Sequence, residues 1–216
     1  MAREYDLVIF DWDGTLMDSE TKIVRCFQLA AQDANVNYPG DQAIRNIIGL
    51  GLAEAMDAIY PDESMEIRNA VVESYREHFL FRDQTEMPLF PGVPEGLSAL
   101  VENGYQLAVA TGKARRGLDR VLKDSPLQHL FHSTRCADET RSKPHPLMIE
   151  EIIHETGAVR ERTIMVGDSV FDLEMARNAG VDSLAVSYGV QPCDRLVSYR
   201  PLGCMESFND VCEWFR

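Results

Sequence analysis

Short runs of consecutive apolar residues alternate along this chain with longer amphipathic stretches, and the alternation predicts its architecture. Leu7-Val8-Ile9-Phe10 is one such run, ending abruptly in Asp11-Trp12-Asp13-Gly14, as a buried strand does where it meets a loop. Similar runs occupy 106–110, 163–166 and 183–186, each approached from a helix-like segment and followed by small or polar residues. Such βα repetition predicts an α/β fold around a parallel sheet, with ligands bound where the strands end at their carboxyl edge.

About 95 residues separate the first two strands, far more than one crossover helix and its loops need. Within them Ile23, Phe27, Ala30, Ala31 and Ala34 recur at helical spacing, and so do Ile67, Val71, Tyr75 and Phe79. Pro39-Gly40, Pro61 and the 84–91 segment punctuate these helices. The expectation is an all-helical insertion over 17–84, with residues 1–16 and 85–216 forming the α/β core. Beyond it, Pro91-Gly92-Val93-Pro94 opens a helix carrying Leu97, Leu100 and Val101, and Gly104 closes it as a C-terminal glycine does. Further helices are expected over 114–123, 146–155, 170–178 and 206–215.

Composition narrows the function classes. A 45% apolar content is that of a globular chain, and no run approaches the roughly 20 apolar residues that cross a bilayer. Met1 to Asp6 resembles no signal peptide, so a cytoplasmic location is expected, with no membrane partner. The formal charge of −14 supplies no basic stripe for nucleic acid, and it requires any phosphate to be met by a metal and fixed donors. The 5 cysteines are odd in number, widely spaced and never paired as CxxC, which predicts reduced thiols rather than a disulfide framework or a zinc site. His78, His129, His132, His145 and His154 are scattered and form no ligand set, although His145 could line an entrance.

Four strand ends carry the candidate chemistry. Asp11 and Asp13 follow the first strand; one carboxylate could attack a phosphoester while the other protonates the leaving alkoxide. They equally suit a polar corner with Asp13-Gly14 as turn residues. Thr111-Gly112-Lys113 ends the second strand, where a hydroxyl, backbone N–H groups and a glycine suit an anion, or where the threonine simply caps. Lys143 sits in Ser142-Lys143-Pro144-His145-Pro146, where two prolines stiffen the chain, and, alone, reads as a surface lysine. Asp168 and Asp172 have i, i+4 spacing at a helix start, suiting a hard cation such as Mg2+ or plain helix capping.

In this order the segments resemble the motifs of the haloacid dehalogenase superfamily. Asp11-Trp12-Asp13-Gly14-Thr15-Leu16 is the specific one, since DxDGT arises by chance on the order of once in a thousand such chains. The resemblance implies a doubly wound core, Asp11 as nucleophile, Asp13 as general acid and base, Thr111 as a hydrogen-bond donor to a phosphate oxygen and Lys143 as the partner of nucleophile and phosphate. It also implies Mg2+ held by the Asp11 carboxylate, the Asp13 carbonyl and Asp168, with Asp172 supporting. The insertion after the first motif is similar to the helical cap of the phosphoglycolate phosphatase-like subgroup. There Ile48-Gly49-Leu50-Gly51-Leu52 resembles a specificity loop, with Arg45 nearby as an anion contact; a plain helix–helix turn fits the same residues. Gly49 and Leu50, with Gly112, are thus candidate substrate contacts.

The implied activity is Mg2+-dependent hydrolysis of a small phosphorylated metabolite by a monomer or homodimer. Asp13 argues against a dehalogenase proper, which protonates no phosphate leaving group. A sugar phosphomutase of the same fold is the alternative, and Thr15 leans away from it. A catalytically idle binding protein is disfavoured because every residue that hydrolysis needs is present.

Overall fold

In a computed structural model the chain is described over residues 5–123 and 125–216; the segment 1–4, on which part of the leader reading rests, lies outside the described residues. Strand β1 (Leu7–Phe10) is followed by helices α1 (Glu20–Asp33), α2 (Asp41–Arg45), α3 (Leu52–Ile59) and α4 (Met65–Glu77), the last running into a π-helical turn at His78–Arg82. The rest alternates: α5 (Val93–Glu102), β2 (Gln106–Thr111), α6 (Arg115–Lys123), β3 (Phe131–Cys136), α7 (Leu147–Thr156), β4 (Thr163–Gly167), α8 (Val170–Ala179), β5 (Asp182–Val186), α9 (Cys193–Leu196), β6 (Cys204–Met205) and α10 (Phe208–Trp214).

All pairings within the sheet are parallel, in the order β3-β2-β1-β4-β5-β6. Successive residues of a strand face opposite sides, and here both sides are covered. Val8, Phe10, Val109 and Val166 point into a cluster with Leu97, Leu118 and Phe208. Leu7, Ile9, Ala108 and Met165 point into another with Met148, Ile152 and Ala176. This is the parallel sheet expected from the continuous apolar runs, doubly wound as the resemblance implies. Strand order reverses between β1 and β4, the place where such sheets open a crevice at their carboxyl edge.

The helices between β1 and α5 gather around a third apolar cluster, with Phe27, Ile44, Met56, Val71 and Tyr75 at its centre. The two chain crossings leading to and from them run side by side: Phe90 N donates to Leu16 O at 3.0 Å and Asp18 N to Pro88 O at 2.8 Å. Lys22, buried beside them, donates to the carbonyl of Asp83 at 2.8 Å.

Three local expectations differ from the structure. β3 and β6 have no counterpart among the apolar runs, because β3 (FHSTRC) is a partly exposed strand and β6 has 2 residues. The short α2 and α3 were hidden by their length. The expectation of reduced thiols throughout is corrected at one pair, since Cys193 and Cys204 are disulfide-bonded with Cα atoms 6.3 Å apart. The pairing of β6 with β5 carries Cys204 back toward α9, a proximity that linear spacing does not reveal. Cys26, Cys136 and Cys212 are free.

Candidate active site

Register brings the strand ends together. Phe10 pairs with Val109 on one side and Val166 on the other, so Asp11, Thr111 and Asp168 emerge at one edge of the sheet. Asp11 is 1% exposed, and its backbone N–H is tied to Val166 O at 3.0 Å. Carboxylate oxygens of Asp11, Asp168 and Asp172 lie within 4.8 Å of one another, all buried.

Each of these carboxylates has a distinct environment. Lys143 Nζ lies 2.7 Å from Asp11 Oδ1 and 2.6 Å from Asp172 Oδ1. Only the contact with Asp172 has hydrogen-bond direction, so Asp11 Oδ1 is buried beside a cation without a directed partner. Asp168 Oδ1 accepts from Thr15 Oγ1 and its Oδ2 from Val190 N, both at 2.9 Å. The other oxygen of Asp172 accepts from Ser169 N at 3.0 Å and Oγ at 2.6 Å. One oxygen of Asp172 thus caps the start of α8 while the other faces Lys143.

One ammonium cannot balance three buried carboxylates. Burial pushes Asp11 well above the usual carboxylate range; Lys143 opposes the shift, while Asp172 and Asp168 add to it. Burial, followed by Asp172, pushes Asp168 up to about 7. For Lys143 burial favours the neutral amine, but the facing carboxylates of Asp11 and Asp172 outweigh it and keep the ammonium. The excess anionic character of three buried carboxylates facing one ammonium is what a hard divalent cation would relieve, and an all-oxygen donor set suits Mg2+.

Asp13 diverges from Asp11, as the turn at Gly14 allows; Gly14 has φ +86°, and a side chain there would overlap the Asp168 carboxylate. Asp13 Oδ1 accepts from Ser19 Oγ at 2.7 Å, and Lys113 Nζ bridges both its oxygens at 2.9 and 2.8 Å. Lys113 N donates to Thr111 Oγ1 at 3.2 Å, which closes the turn after β2. Asp11, Asp13, Thr111, Gly112 and Lys113 form the floor of a cavity of about 440 Å³ whose opposite wall comes from the helical insertion.

The helical side touches the floor through backbone. A Cβ on Gly112 would fall 2.6 Å from Leu50 O and would also overlap Gly49 O, so only glycine allows that approach. Gly51 N donates to Ser142 Oγ at 2.8 Å, next to Lys143. Gly49 and Leu50 thus line the cavity. Arg45 does not: its Nε is bonded to Glu20 Oε1 at 2.6 Å, and it is absent from the cavity lining. Packing of α2 on α1 gives Arg45 this partner, which proximity to Gly49 in sequence could not show. His145 is also absent from the lining, with Nε2 3.0 Å from Arg141.

Reading the sequence missed Lys113, which stands inside the Thr111 segment but meets Asp13 only across 100 residues. Ser19, Ser142 and Val190 carry no signal of their own. Gly189 packs against Gly14 O and Asp168, so the segment after β5 closes the crevice from the far side.

Residues 8–186 match the family model described as haloacid dehalogenase-like hydrolase. The chain is 37% identical over 212 residues to "Probable phosphatase IndB" of Dickeya dadantii, covering 95% of this chain and 91% of that protein. It is 30% identical over 199 residues to a phosphoglycolate phosphatase of Aliivibrio fischeri, covering 88% and 87%. A haloacid dehalogenase-like family hydrolase of Streptococcus pneumoniae superposes with a TM-score of 0.85 at 24% identity, covering 99% of each chain.

Proposed function

The chain belongs to the haloacid dehalogenase-like hydrolases, and from that membership and the geometry of its strand ends we propose that it hydrolyses small phosphate monoesters with Mg2+, through an aspartyl phosphate on Asp11. The observation that carries the reading is the buried Asp11 carboxylate, held against Lys143 and grouped with Asp168 and Asp172, with one oxygen lacking a directed partner.

The Asp11 carboxylate, the Asp13 carbonyl and Asp168 would hold the metal, with Asp172 aligning Lys143 behind them. When bound, the cation would lower the charge of the phosphate and of the crowded carboxylates. Asp11 attacks phosphorus through a carboxylate oxygen; the P–O bond to the alcohol breaks and its electron pair leaves on the alkoxide. Asp13, oriented by Ser19 and Lys113, delivers a proton to that alkoxide and later takes one from the water that cleaves the aspartyl phosphate. Lys143 and the Thr111 hydroxyl receive the charge that builds on the phosphoryl oxygens. Residues 17–84 act as a cap whose closure over the floor excludes water during transfer.

Inorganic phosphate release from a panel of small esters, with and without Mg2+, tests the reading. Release should require the metal and fall by about 10⁴-fold or more in Asp11→Asn, which keeps the shape but not the nucleophile. Full activity in that variant would end the mechanism.

A further inference from the structure

The cavity above the floor is larger and less polar than a two-carbon acid needs. Its volume of about 440 Å³ lies in the range of pockets that enclose drug-sized ligands. The wall facing Asp13 is an aromatic stack: the rings of Phe27 and Tyr75 lie 4.4 Å apart, and those of Tyr75 and Phe79 lie 5.6 Å apart and 27° from parallel. The Lys113 ammonium sits 4.6 Å from the centroid of Phe79, which joins this wall to the group that holds Asp13.

Polar resources in the wall are few and mostly committed. Lys113 is bonded to Asp13, and Arg76 is paired with Glu73 at 2.6 Å. The exposed Arg116 lies over Phe81, which is itself 54% exposed, at 5.1 Å. Glu77 and Asp138 add negative charge to the lining. A second anionic group close to the transferred phosphate would therefore meet repulsion and no uncommitted cation at depth. A polyhydroxylated chain would lose hydrogen bonds to water that aromatic and aliphatic walls cannot replace. The Tyr75 hydroxyl is the exception: the residue is 9% exposed, lines the cavity and makes no hydrogen bond with another described residue.

We infer that the leaving group for which this site is built carries a flat aromatic or heteroaromatic ring, seated against Phe27, Tyr75 and Phe79, with a polar substituent within reach of the Tyr75 hydroxyl. The inference rests on the phosphatase reading and deepens it by naming the alcohol. The ring packs offset or edge-on against the stack, an arrangement aromatic pairs favour, and removes apolar surface of both partners from water.

The test compares kcat/KM for Mg2+-dependent phosphate release from benzyl phosphate, ethyl phosphate, 2-phosphoglycolate, pyrophosphate and a purine nucleoside 5′-monophosphate. Benzyl and ethyl phosphate have leaving alcohols of similar basicity, so their ratio reports the ring. A ring-bearing ester should lead 2-phosphoglycolate and pyrophosphate by about tenfold or more, and benzyl should lead ethyl phosphate by a similar factor. Phe79→Leu, which keeps an apolar side chain but removes the ring face, should narrow the benzyl-to-ethyl ratio severalfold. Benzylphosphonate, which has no ester bond to break, should bind about tenfold tighter than methylphosphonate in calorimetry. Phosphate release led by 2-phosphoglycolate, pyrophosphate or ethyl phosphate would overturn the inference and leave the phosphatase reading standing. Absence of release from every ester, with benzylphosphonate still preferred, would overturn the phosphatase reading while the aromatic seat stood. Equal binding of the two phosphonates would overturn the seat itself.

Discussion

At the strand ends, Asp11, Asp168, Asp172 and Lys143 are each at most 1% exposed and fixed by short polar contacts to one another or to Thr15, Ser169 and Val190. A few ångströms away, Phe27, Tyr75 and Phe79 are also buried, yet they are placed by ring contacts and apolar packing, with the Lys113 and Lys22 ammonium groups over the Phe79 ring. Polar contacts have strict distances and directions, so the floor admits few residue types at each position. Ring contacts tolerate exchange among side chains of similar size, so the wall can vary while the floor is kept. On the proposed function, chemistry and selectivity would fall to two regions with different tolerance of substitution.

The largest blow to the floor should come from Lys143→Met. It leaves Asp11 and Asp172 facing each other in a buried site with no countercharge, and breaking a buried pair in this way costs about 3–5 kcal/mol. Urea unfolding without metal should show that loss, with added Mg2+ recovering part of it. A loss below about 1 kcal/mol would mean that the carboxylates are already protonated in the folded protein.

Acidity probes the same crowding without mutation. Asp168 is pushed up to about 7 in the folded protein from an ordinary value of 3.8, so between these values the folded state holds a proton that the unfolded state has released. Stability of the metal-free protein should therefore fall as pH rises from about 4 to about 7, with burial of Asp11 adding in the same direction. Thermal melts with and without Mg2+ check the sign: the metal should give its largest rise in Tm above pH 7. A metal-free Tm that climbs through this window would contradict the charge crowding.

Smaller effects are expected where the wall meets the floor. Gly112→Ala inserts a methyl group against the carbonyls of Gly49 and Leu50, which should hold the two regions apart and lower kcat/KM by about tenfold. Far-ultraviolet circular dichroism should be unchanged in that variant. Ser142→Ala removes a single acceptor from Gly51 N, at a cost of about 1 kcal/mol, and should raise KM severalfold with kcat nearly intact. If Ser142→Ala matched Gly112→Ala in steady-state kinetics, the backbone approach would matter less than the hydrogen bond.

Much of the fold was legible because the central strands are buried on both faces and read as continuous apolar runs. β3 escaped because it mixes His132, Ser133, Thr134 and Arg135 into a partly exposed strand, and β6 because it is too short to make a pattern. Asp11, Thr111 and Asp168 were legible as candidates because each stands at or just past a strand end, Asp172 because it follows Asp168 by one helical turn, and Lys143 because it adjoins a segment stiffened by two prolines. Their meeting depends on sheet register, which a sequence states only indirectly. The Lys113 bridge to Asp13, the Arg45 pair with Glu20 and the aromatic wall were not legible, since each depends on how separate elements pack.

Both hydrogen-bonding neighbours of β1 come from strands that follow it by about 95 residues or more. A chain made from its amino end must carry Leu7–Phe10, a run that ends fully buried, through the synthesis of the whole helical insertion before any partner strand exists. The helices of that insertion can meanwhile form their local contacts, whereas Asp11 waits at the end of an unpaired segment. Chains that stop short of Gln106 thus present a bare apolar strand with nothing to lie against, and the nascent protein is most adhesive before its midpoint is made.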